Sequence, residues 1–438
     1  MFYEFLENFR HNLFKPLLLF FYAGFLIPIF KVKLEFPKSV YQGLTIYLLL
    51  SIGWHGGEEL AGLEPALLKQ ALGFMVIGFA TNTIIGIAAY LILRSATRLR
   101  RVDAATVAGF YGSDSAGTFV TAVGVLTAAQ IAYAPYMPVM LAVMEIPGCL
   151  VALYIVSQLR RHGMDANGNM PDEPNYDPSL KRVSLVVDHD GHAHQHRESS
   201  RRVPPENLAA PSAPSAVTGP SSQEIDRRER ASADRKEALL ALEEETSLPP
   251  DEIAAAKSRE RWLNKETLHE VFMNPGIFLL FAGIAIGFVG RHQGDKVTAT
   301  DDPLFVTLFH GMLCMFLLEM GITACSKLRD LGTAGWQFIA FALICPNLFA
   351  TSGMMIAHAY SMWLGQPFAI GTYLLFGVLC GAASYIAVPA VQRLAIPEAS
   401  PTLPLAASLG CTFSYNVTVG IPVYILIATL ITKSMPIG

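Results

Sequence analysis

Two membrane-length apolar segments of the chain are interrupted by small and hydroxyl-bearing residues, one in each half of the sequence. The first reads GFYGSDSAGTFVTAVGVL (109–126) and the second reads GVLCGAASYIAVPAVQRL (377–394). In a bilayer, backbone N–H and C=O groups freed by such an interruption must find partners inside the protein or line a wet cavity. A matching pair of interrupted segments is typical of the binding site of a secondary transporter.

The composition agrees with a membrane protein. Hydrophobic residues make up 52% of the 438 residues, although a polar block at 159–270 dilutes that fraction. The net charge of −4 is too small to indicate a polyionic partner, and no basic stripe predicts nucleic-acid binding. The six cysteines lie in or beside apolar segments without a CxxC pair, which favours single buried thiols over disulfides or metal ligands.

We predict ten membrane spans, five on each side of the polar block. They lie near 13–30, 38–54, 68–94, 103–127, 134–158, 272–290, 303–325, 335–359, 367–393 and 402–432. Because each half has an odd number of spans, the second half enters the membrane in the opposite orientation. LLLSIGWHGG (48–57) also aligns with FLLEMGITAC (316–325), matching Gly53 to Gly321. The predicted fold is an all-α polytopic membrane protein of two inverted five-helix repeats, each with a broken helix.

Lysine and arginine residues in the short loops predict the orientation. One set of loops carries most of them, namely Lys31, Lys33, Lys38, Arg94, Arg98, Arg100, Arg101, Lys327, Arg329 and Arg393. Since cytoplasmic loops are enriched in both residue types, we expect this set in the cytoplasm and both termini outside a plasma membrane. The first apolar stretch lacks a small-residue cleavage site and is interpreted as a retained span.

The predicted domains are the first repeat (1–158), a cytoplasmic linker (159–270) and the second repeat (271–438). Within the linker, 203–223 is typical of a disordered segment, and 224–248 and 251–270 favour helices. Two interpretations of the linker stay open. It is either a docking site for a regulatory partner or a tether with surface helices.

Oxygen-bearing side chains concentrate at the first break, which contains Gly112, Ser113, Asp114, Ser115 and Thr118. An acidic side chain deep in a span usually faces a cavity and marks an ion path. We predict Na⁺ at Asp114, because carboxylate and hydroxyl oxygens suit a small cation, and an anion at the N-terminus of the restarting helix. The alternative is a small-residue packing face with Asp114 near an interface.

The second break contains Ser384 and Tyr385 but no acid. Tyr385 either closes the pocket and hydrogen-bonds the solute, or is a packing aromatic. Two further intramembrane acids, Glu145 and Glu319, are candidate coupling residues. The chain has no nucleotide-binding loop, GxSxG or HExxH motif, so we predict neither an enzyme nor an organic cofactor.

Four stretches of the sequence resemble the sodium-dependent bicarbonate transporters of cyanobacteria and other bacteria. They are RRVDAATVAGFYGSDSAGTFVTAV (100–123), MEIPG (144–148), MGITACSKLRDL (320–331) and IPEASPTLPLAASLG (396–410). The resemblance implies a bicarbonate and Na⁺ site between the two broken helices, a homotrimer, and a cytoplasmic PII-like regulator that senses adenine nucleotides. It places Tyr385 where relatives carry an aspartate, and Thr323 where they carry an acid, which makes Thr323 a third coupling candidate.

The predicted function is Na⁺-coupled symport of a small inorganic anion, with bicarbonate as the expected anion, by alternating access. Two alternatives stay open. One is an H⁺-coupled transporter of another small anion or carboxylate on the same fold, with coupling through Glu145 or Glu319. The other is a membrane sensor that binds a solute without transporting it.

Overall fold

Apolar helices dominate the first half of the chain. The structure of the protein, a computed structural model, describes residues 16–34, 36–180, 185–187, 193–195, 275–330 and 335–437. The helices of the first half are α1 (Pro16–Ile29), α2 (Lys38–Ala61), α3 (Pro65–Ala96), α4 (Arg101–Tyr111), α5 (Ala116–Ala128), α6 (Met137–Met144) and α7 (Ile146–Arg161).

The second half is helical as well. Its helices are α8 (Pro275–Gln293), α9 (Asp295–Asp302), α10 (Phe309–Asp330), α11 (Trp336–Leu364), α12 (Ile370–Gly381), α13 (Ala387–Ala395), α14 (Leu403–Leu405) and α15 (Ile421–Ser434). Wider π-helical turns join some of them: Pro303–Thr307 lies between α9 and α10, and Ala406–Phe413 and Asn416–Gly420 lie between α14 and α15.

Six helical stretches of the described residues are long and apolar enough to cross a bilayer. They are Lys69–Ala96, Met137–Arg161, Pro275–Gln293, Lys296–Leu328, Trp336–Leu364 and Leu403–Ser434. α1 and α12 are apolar but shorter. The helices are those of a multi-pass membrane protein.

Two exposed tryptophans mark the ends of α11. The side chains of Trp336 and Trp363 are 74% and 78% exposed. At 1.5 Å per helical residue they lie about 40 Å apart, which matches the thickness of a bilayer with its headgroup regions. Tryptophan is enriched at both membrane–water interfaces, so α11 has the anchors of a spanning helix.

The chain leaves helical geometry at both predicted breaks. The predicted span 103–127 is divided into α4 and α5, and the predicted span 367–393 is divided into α12 and α13.

Two helix boundaries differ from the predicted spans. α2 continues to Ala61, beyond the predicted end at 54, and α9 begins at Asp295, before the predicted start at 303. The two regions are in contact, because Trp54 of α2 stacks on Phe305 after α9 with ring centroids 5.1 Å apart.

Pairs of helices from different halves pack at glycines. α1 meets α10, where a Cβ on Gly24 would overlap the Leu318 carbonyl oxygen and one on Gly321 would overlap that of Phe21. α2 meets α8, where a Cβ on Gly53 would lie 2.9 Å from the Gly283 Cα. Small residues allow this close backbone approach in membranes.

The segment after α7 belongs to the same compact unit as the helices. That unit comprises 1–181 and 263–438. In it, the backbone N–H of Arg101 donates to Glu173 at 2.8 Å, and the guanidinium of Arg101 contacts Asp172. The described residues at the start of the predicted linker, 159–180, therefore pack with the helices.

A second unit comprises 182–262. Its described residues form two short antiparallel strands, β1 (Leu185–Val187) and β2 (Ala193–Gln195), with Val186 opposite His194. The predicted disordered stretch 203–223 and the predicted helices at 224–248 and 251–270 lie outside the described residues.

Candidate functional site

The first break is a four-residue interruption between α4 and α5. Ser115 is the N-cap of α5, and its hydroxyl accepts from the backbone N–H of Thr118 at 3.3 Å and from the Thr118 hydroxyl at 3.0 Å. Ser113 donates to the backbone carbonyl of Glu145 at 2.7 Å. The hydroxyls of this break therefore hold the interrupted backbone in place, and three of the predicted site residues share one small region.

Glycines on two neighbouring helices enclose the first break. A Cβ on Gly112 would lie 2.7 Å from the Cα of Gly86 on α3 and 2.9 Å from the Cα of Gly148 on α7. A Cβ on Gly148 would lie 2.5 Å from the backbone nitrogen of Ser113. The break is thus surrounded by backbone, which leaves little room for any larger side chain.

Asp114 is the most unusual residue of the first break. Its side chain is fully buried, and neither carboxylate oxygen has a hydrogen-bond partner among the described residues. Leaving an ionised carboxylate buried without a partner costs several kcal/mol, even after the protein relaxes. A cation at these oxygens would remove that cost.

The second break separates α12 from α13 over residues 382–386. Ser384 is buried, and its hydroxyl accepts from the backbone N–H of Val388 in the first turn of α13 at 3.4 Å. Asn416, at the start of a π-helical turn, donates to the carbonyl of Gly381 at 2.9 Å and accepts from the Tyr424 hydroxyl at 2.8 Å. The last carbonyl of α12, which an α-helix would leave unpaired, is therefore satisfied by the final helical stretch.

The second break is hydrogen-bonded to the last turn of α4, just before the first break. The backbone N–H of Ser384 donates to the carbonyl of Phe110 at 2.8 Å. Glu145, the residue between α6 and α7, joins the two breaks, because its backbone carbonyl accepts from Ser113 and its carboxylate accepts from the Ser384 hydroxyl at 3.2 Å. The structure therefore brings Glu145 together with the predicted residues of both breaks.

The helix ends determine which partial charges face this region. α5 and α13 begin at the breaks, and α4 and α12 end there. Helix N-termini carry partial positive charge and favour anions, and helix C-termini carry partial negative charge and favour cations. Both kinds of end meet in one buried place, so a cation and an anion have complementary partners there.

The family of the chain follows from a comparison of its whole sequence with known families. The sequence profile of the Na⁺-dependent bicarbonate transporter superfamily matches residues 16–429. The chain belongs to this superfamily. The resemblance stated from the four motifs is thereby confirmed, and sodium is the coupling ion that the family supports. No individual curated protein matches the chain.

The aromatic residue of the second break packs inside this transporter. The Tyr385 hydroxyl lies against Gly117 of α5, where a Cβ would overlap it. The Tyr385 ring meets Phe413 edge-on, with centroids 5.3 Å apart. Tyr385 therefore fills the space between the second break, α5 and the π-helical turns before α15.

Two predicted coupling residues of the transporter lie together on α10, apart from the breaks. The Thr323 hydroxyl donates to the Glu319 carboxylate at 2.7 Å. Within the described part of the chain, no hydrogen bond connects either residue to the breaks. α10 does approach α5, since Phe316 lies 3.2 Å from the Cβ position of Gly117.

One polar residue beside the first break was not a predicted site residue. Asn82 of α3 donates to the carbonyl of Met144 at 2.8 Å, but its Oδ1 atom is buried and unpartnered among the described residues. Its backbone carbonyl lies 3.1 Å from the Cβ position of Gly112. An intramembrane asparagine is a weak signal on its own, and only its position beside the first break makes Asn82 a candidate oxygen ligand.

Proposed function

We propose that this transporter carries Na⁺ and bicarbonate together by alternating access, with both ions bound between the two breaks. The observation that carries the proposal is Asp114, a fully buried carboxylate without a hydrogen-bond partner among the described residues. A buried charge needs a partner of opposite sign. Na⁺, with Asp114 and neighbouring oxygens as ligands, supplies it.

The anion binds on the opposite side of the same region. The first turns of α5 and α13 direct backbone N–H groups towards the breaks, and the Ser384 hydroxyl is beside them. Backbone N–H groups at a helix N-terminus bind oxyanions well. In this proposal Ser384 contacts bicarbonate, while Ser113 and Ser115 shape the Na⁺ side.

The coupling of the two ions follows from charge. Na⁺ neutralises Asp114, whose negative charge would otherwise repel a nearby anion, and by linkage the anion strengthens Na⁺ binding by the same factor. An anion bound without Na⁺ would place a second buried negative charge close to Asp114, which is costly. In this proposal the anion therefore enters the occluded state only together with Na⁺, which couples its transport to the Na⁺ gradient.

The packing of the helices supports the finer architecture, ten spans in two inverted repeats. A pseudo-two-fold axis that exchanges the halves replaces α1 by α8 and α2 by α10. The glycine contact of α1 with α10 then becomes the contact of α8 with α2, and both are present. We extend the proposal to the predicted orientation, with Arg100 and Arg160 on the cytoplasmic face. The homotrimer and the PII-like regulator stay predictions.

The direct test is uptake of labelled bicarbonate into proteoliposomes, with and without an inward Na⁺ gradient. The proposal predicts uptake that depends on Na⁺, and uptake of labelled Na⁺ that depends on bicarbonate. Equal bicarbonate uptake with and without the gradient would reject Na⁺ coupling. Specific bicarbonate binding without any flux would favour a membrane sensor instead.

One observation favours a second candidate, H⁺-coupled transport of a small anion. Glu145 contacts both breaks, so a change in its protonation would alter the hydrogen bond from Ser384. A pH gradient that drives uptake in the absence of Na⁺, and Glu145→Gln abolishing that uptake, would support this candidate over the first.

A further inference from the structure

A small cavity lies beside the breaks, on the side of the protein where α4 begins. Its volume is about 100 Å³. Three elements line the cavity: α4 with Thr106 and Phe110, α13 with Pro389 and Gln392, and the proline-rich loop at 396–404. This space exceeds what one water molecule needs, so a solute of several non-hydrogen atoms fits in it.

Gln392 is the unusual residue of this cavity. Its side chain is 4% exposed, and neither Nε2 nor Oε1 has a hydrogen-bond partner among the described residues. A Cβ on Gly109 of α4 would overlap Nε2, so the amide is closely packed against that helix. Buried polar groups are nearly always hydrogen-bonded, and an exception in a native structure requires an explanation.

The position of the cavity relates it to the transport site. Phe110 lines the cavity, and the carbonyl of the same residue accepts the hydrogen bond from Ser384 of the second break. Ion pairs surround the other end: Arg100 binds Asp103, which accepts from the backbone N–H of Ser400 at 2.7 Å, and Arg160 binds Glu398 at 2.8 Å. The cavity thus lies between the breaks and the face that we assign to the cytoplasm.

We propose that the cavity is a second binding site for the transported anion, occupied on its way to or from the cytoplasm. The inference rests on the proposed function. The amide of Gln392 offers an N–H donor and a carbonyl acceptor side by side, and bicarbonate offers a carbonyl-type oxygen and an O–H in the same arrangement. Two hydrogen bonds between them satisfy both unpartnered atoms of Gln392.

This pairing gives the site a defined selectivity. A planar oxyanion that lacks an O–H, such as nitrate, satisfies the Nε2 donor but leaves Oε1 unpartnered. A site built to hydrogen-bond a hydroxyl rejects analogues that lack it, because its buried polar group is then left unpaired. The residues that line the cavity carry no charged side chain, so we expect the anion to bind there weakly. Weak binding suits a site on a transport path, because an ion must enter favourably and also leave.

The test compares Gln392→Met with wild type in oriented proteoliposomes. Methionine keeps the length of the side chain and removes both polar atoms. Gln158→Met, on α7 and outside the cavity lining, is the matched control. We expect the KM for bicarbonate on the cytoplasmic side to rise about tenfold in Gln392→Met, the external KM to stay within about twofold, and the thermal midpoint to stay unchanged or rise, because an unsatisfied amide is removed.

Four other results would contradict the inference. Equal KM values in Gln392→Met and wild type on both sides would show that the amide binds no substrate. An equal loss on both sides with a lower thermal midpoint would assign Gln392 a structural role. Inhibition of wild-type efflux by internal nitrate as strong as that by unlabelled bicarbonate would reject the O–H pairing. Absence of bicarbonate flux in wild type would instead reject the proposed function, and this inference with it.

Discussion

Each of the two breaks separates a pair of helices, but their side chains differ in chemistry. The first carries a buried acid, and the glycine backbones of Gly86 and Gly148 enclose it. The second has no acid of its own, although the Glu145 carboxylate accepts from Ser384, and hydrogen bonds from Asn416 and to Phe110 hold its backbone. This difference indicates a division of labour in which the first break binds the cation and the second binds the anion. The predictions below test that division.

The largest effect is expected from Asp114→Asn. The attraction between unit charges 4 Å apart is about 4 kcal/mol at an effective dielectric constant of 20, so Na⁺ affinity should fall about 1,000-fold. Na⁺-dependent uptake should be lost, while the thermal midpoint without Na⁺ stays equal or rises, since an unpaired buried charge is removed. Asp172→Asn, on the exposed segment after α7, is the control and should retain uptake. Normal Na⁺-dependent uptake by Asp114→Asn would contradict the assignment of the cation to the first break.

The next effect concerns the enclosure of the first break. Gly148→Ala places a Cβ against the carbonyl of Gly109 and 2.5 Å from the backbone nitrogen of Ser113. Because backbone atoms cannot move aside cheaply, unfolding free energy should fall by about 3 kcal/mol. Thermal unfolding in detergent measures it. Gly311→Ala on α10, whose Cβ position has no atom within 4 Å, is the control and should cause no loss.

A pair of serine variants separates the two roles. Ser384→Ala should raise the KM for bicarbonate about tenfold with little change for Na⁺, since a hydrogen bond to an ionised ligand contributes about 1.5 kcal/mol or more. Ser113→Ala should change the KM for Na⁺ instead. Ser384→Thr keeps the hydroxyl and should retain most of the bicarbonate affinity. If both alanine variants changed both KM values equally, the breaks would not be divided by ion.

The smallest effect is expected from Tyr424→Phe. The Tyr424 hydroxyl donates to Asn416, which in turn holds the carbonyl of Gly381. Loss of one buried hydrogen bond should lower the unfolding free energy by about 1 kcal/mol and leave the KM for Na⁺ unchanged. Thermal unfolding and Na⁺ titration of uptake measure the two quantities. A changed KM for Na⁺ would show that the hydrogen bonds that hold the second break also affect Na⁺ binding at the first.

Local pattern was enough to predict much of the fold. Apolar length placed the long helices near their observed positions, and small residues placed the interruptions within 109–126 and 377–394, where the structure has them at 112–115 and 382–386. Both signals depend on neighbours in sequence. α9 was not predicted, because its sequence DKVTATDD lacks apolar periodicity.

The site was predictable residue by residue but not as an arrangement. Asp114, Glu145 and Ser384 were each candidates from their chemistry, whereas the contact of Glu145 with Ser384 joins positions 239 residues apart. No local pattern carries that information. Gln392 was not a candidate, since a glutamine near a helix end is ordinary until the structure shows its amide buried and unpartnered.

The central claim is that Na⁺ at the first break and bicarbonate at the second bind cooperatively. Calorimetric titration of the purified protein with bicarbonate, at zero and at saturating Na⁺, tests it most directly. The account predicts that Na⁺ raises bicarbonate affinity by about tenfold or more, that bicarbonate raises Na⁺ affinity by the same factor, and that Asp114→Asn abolishes both effects. Bicarbonate affinity that is the same with and without Na⁺ in the wild-type protein would contradict it.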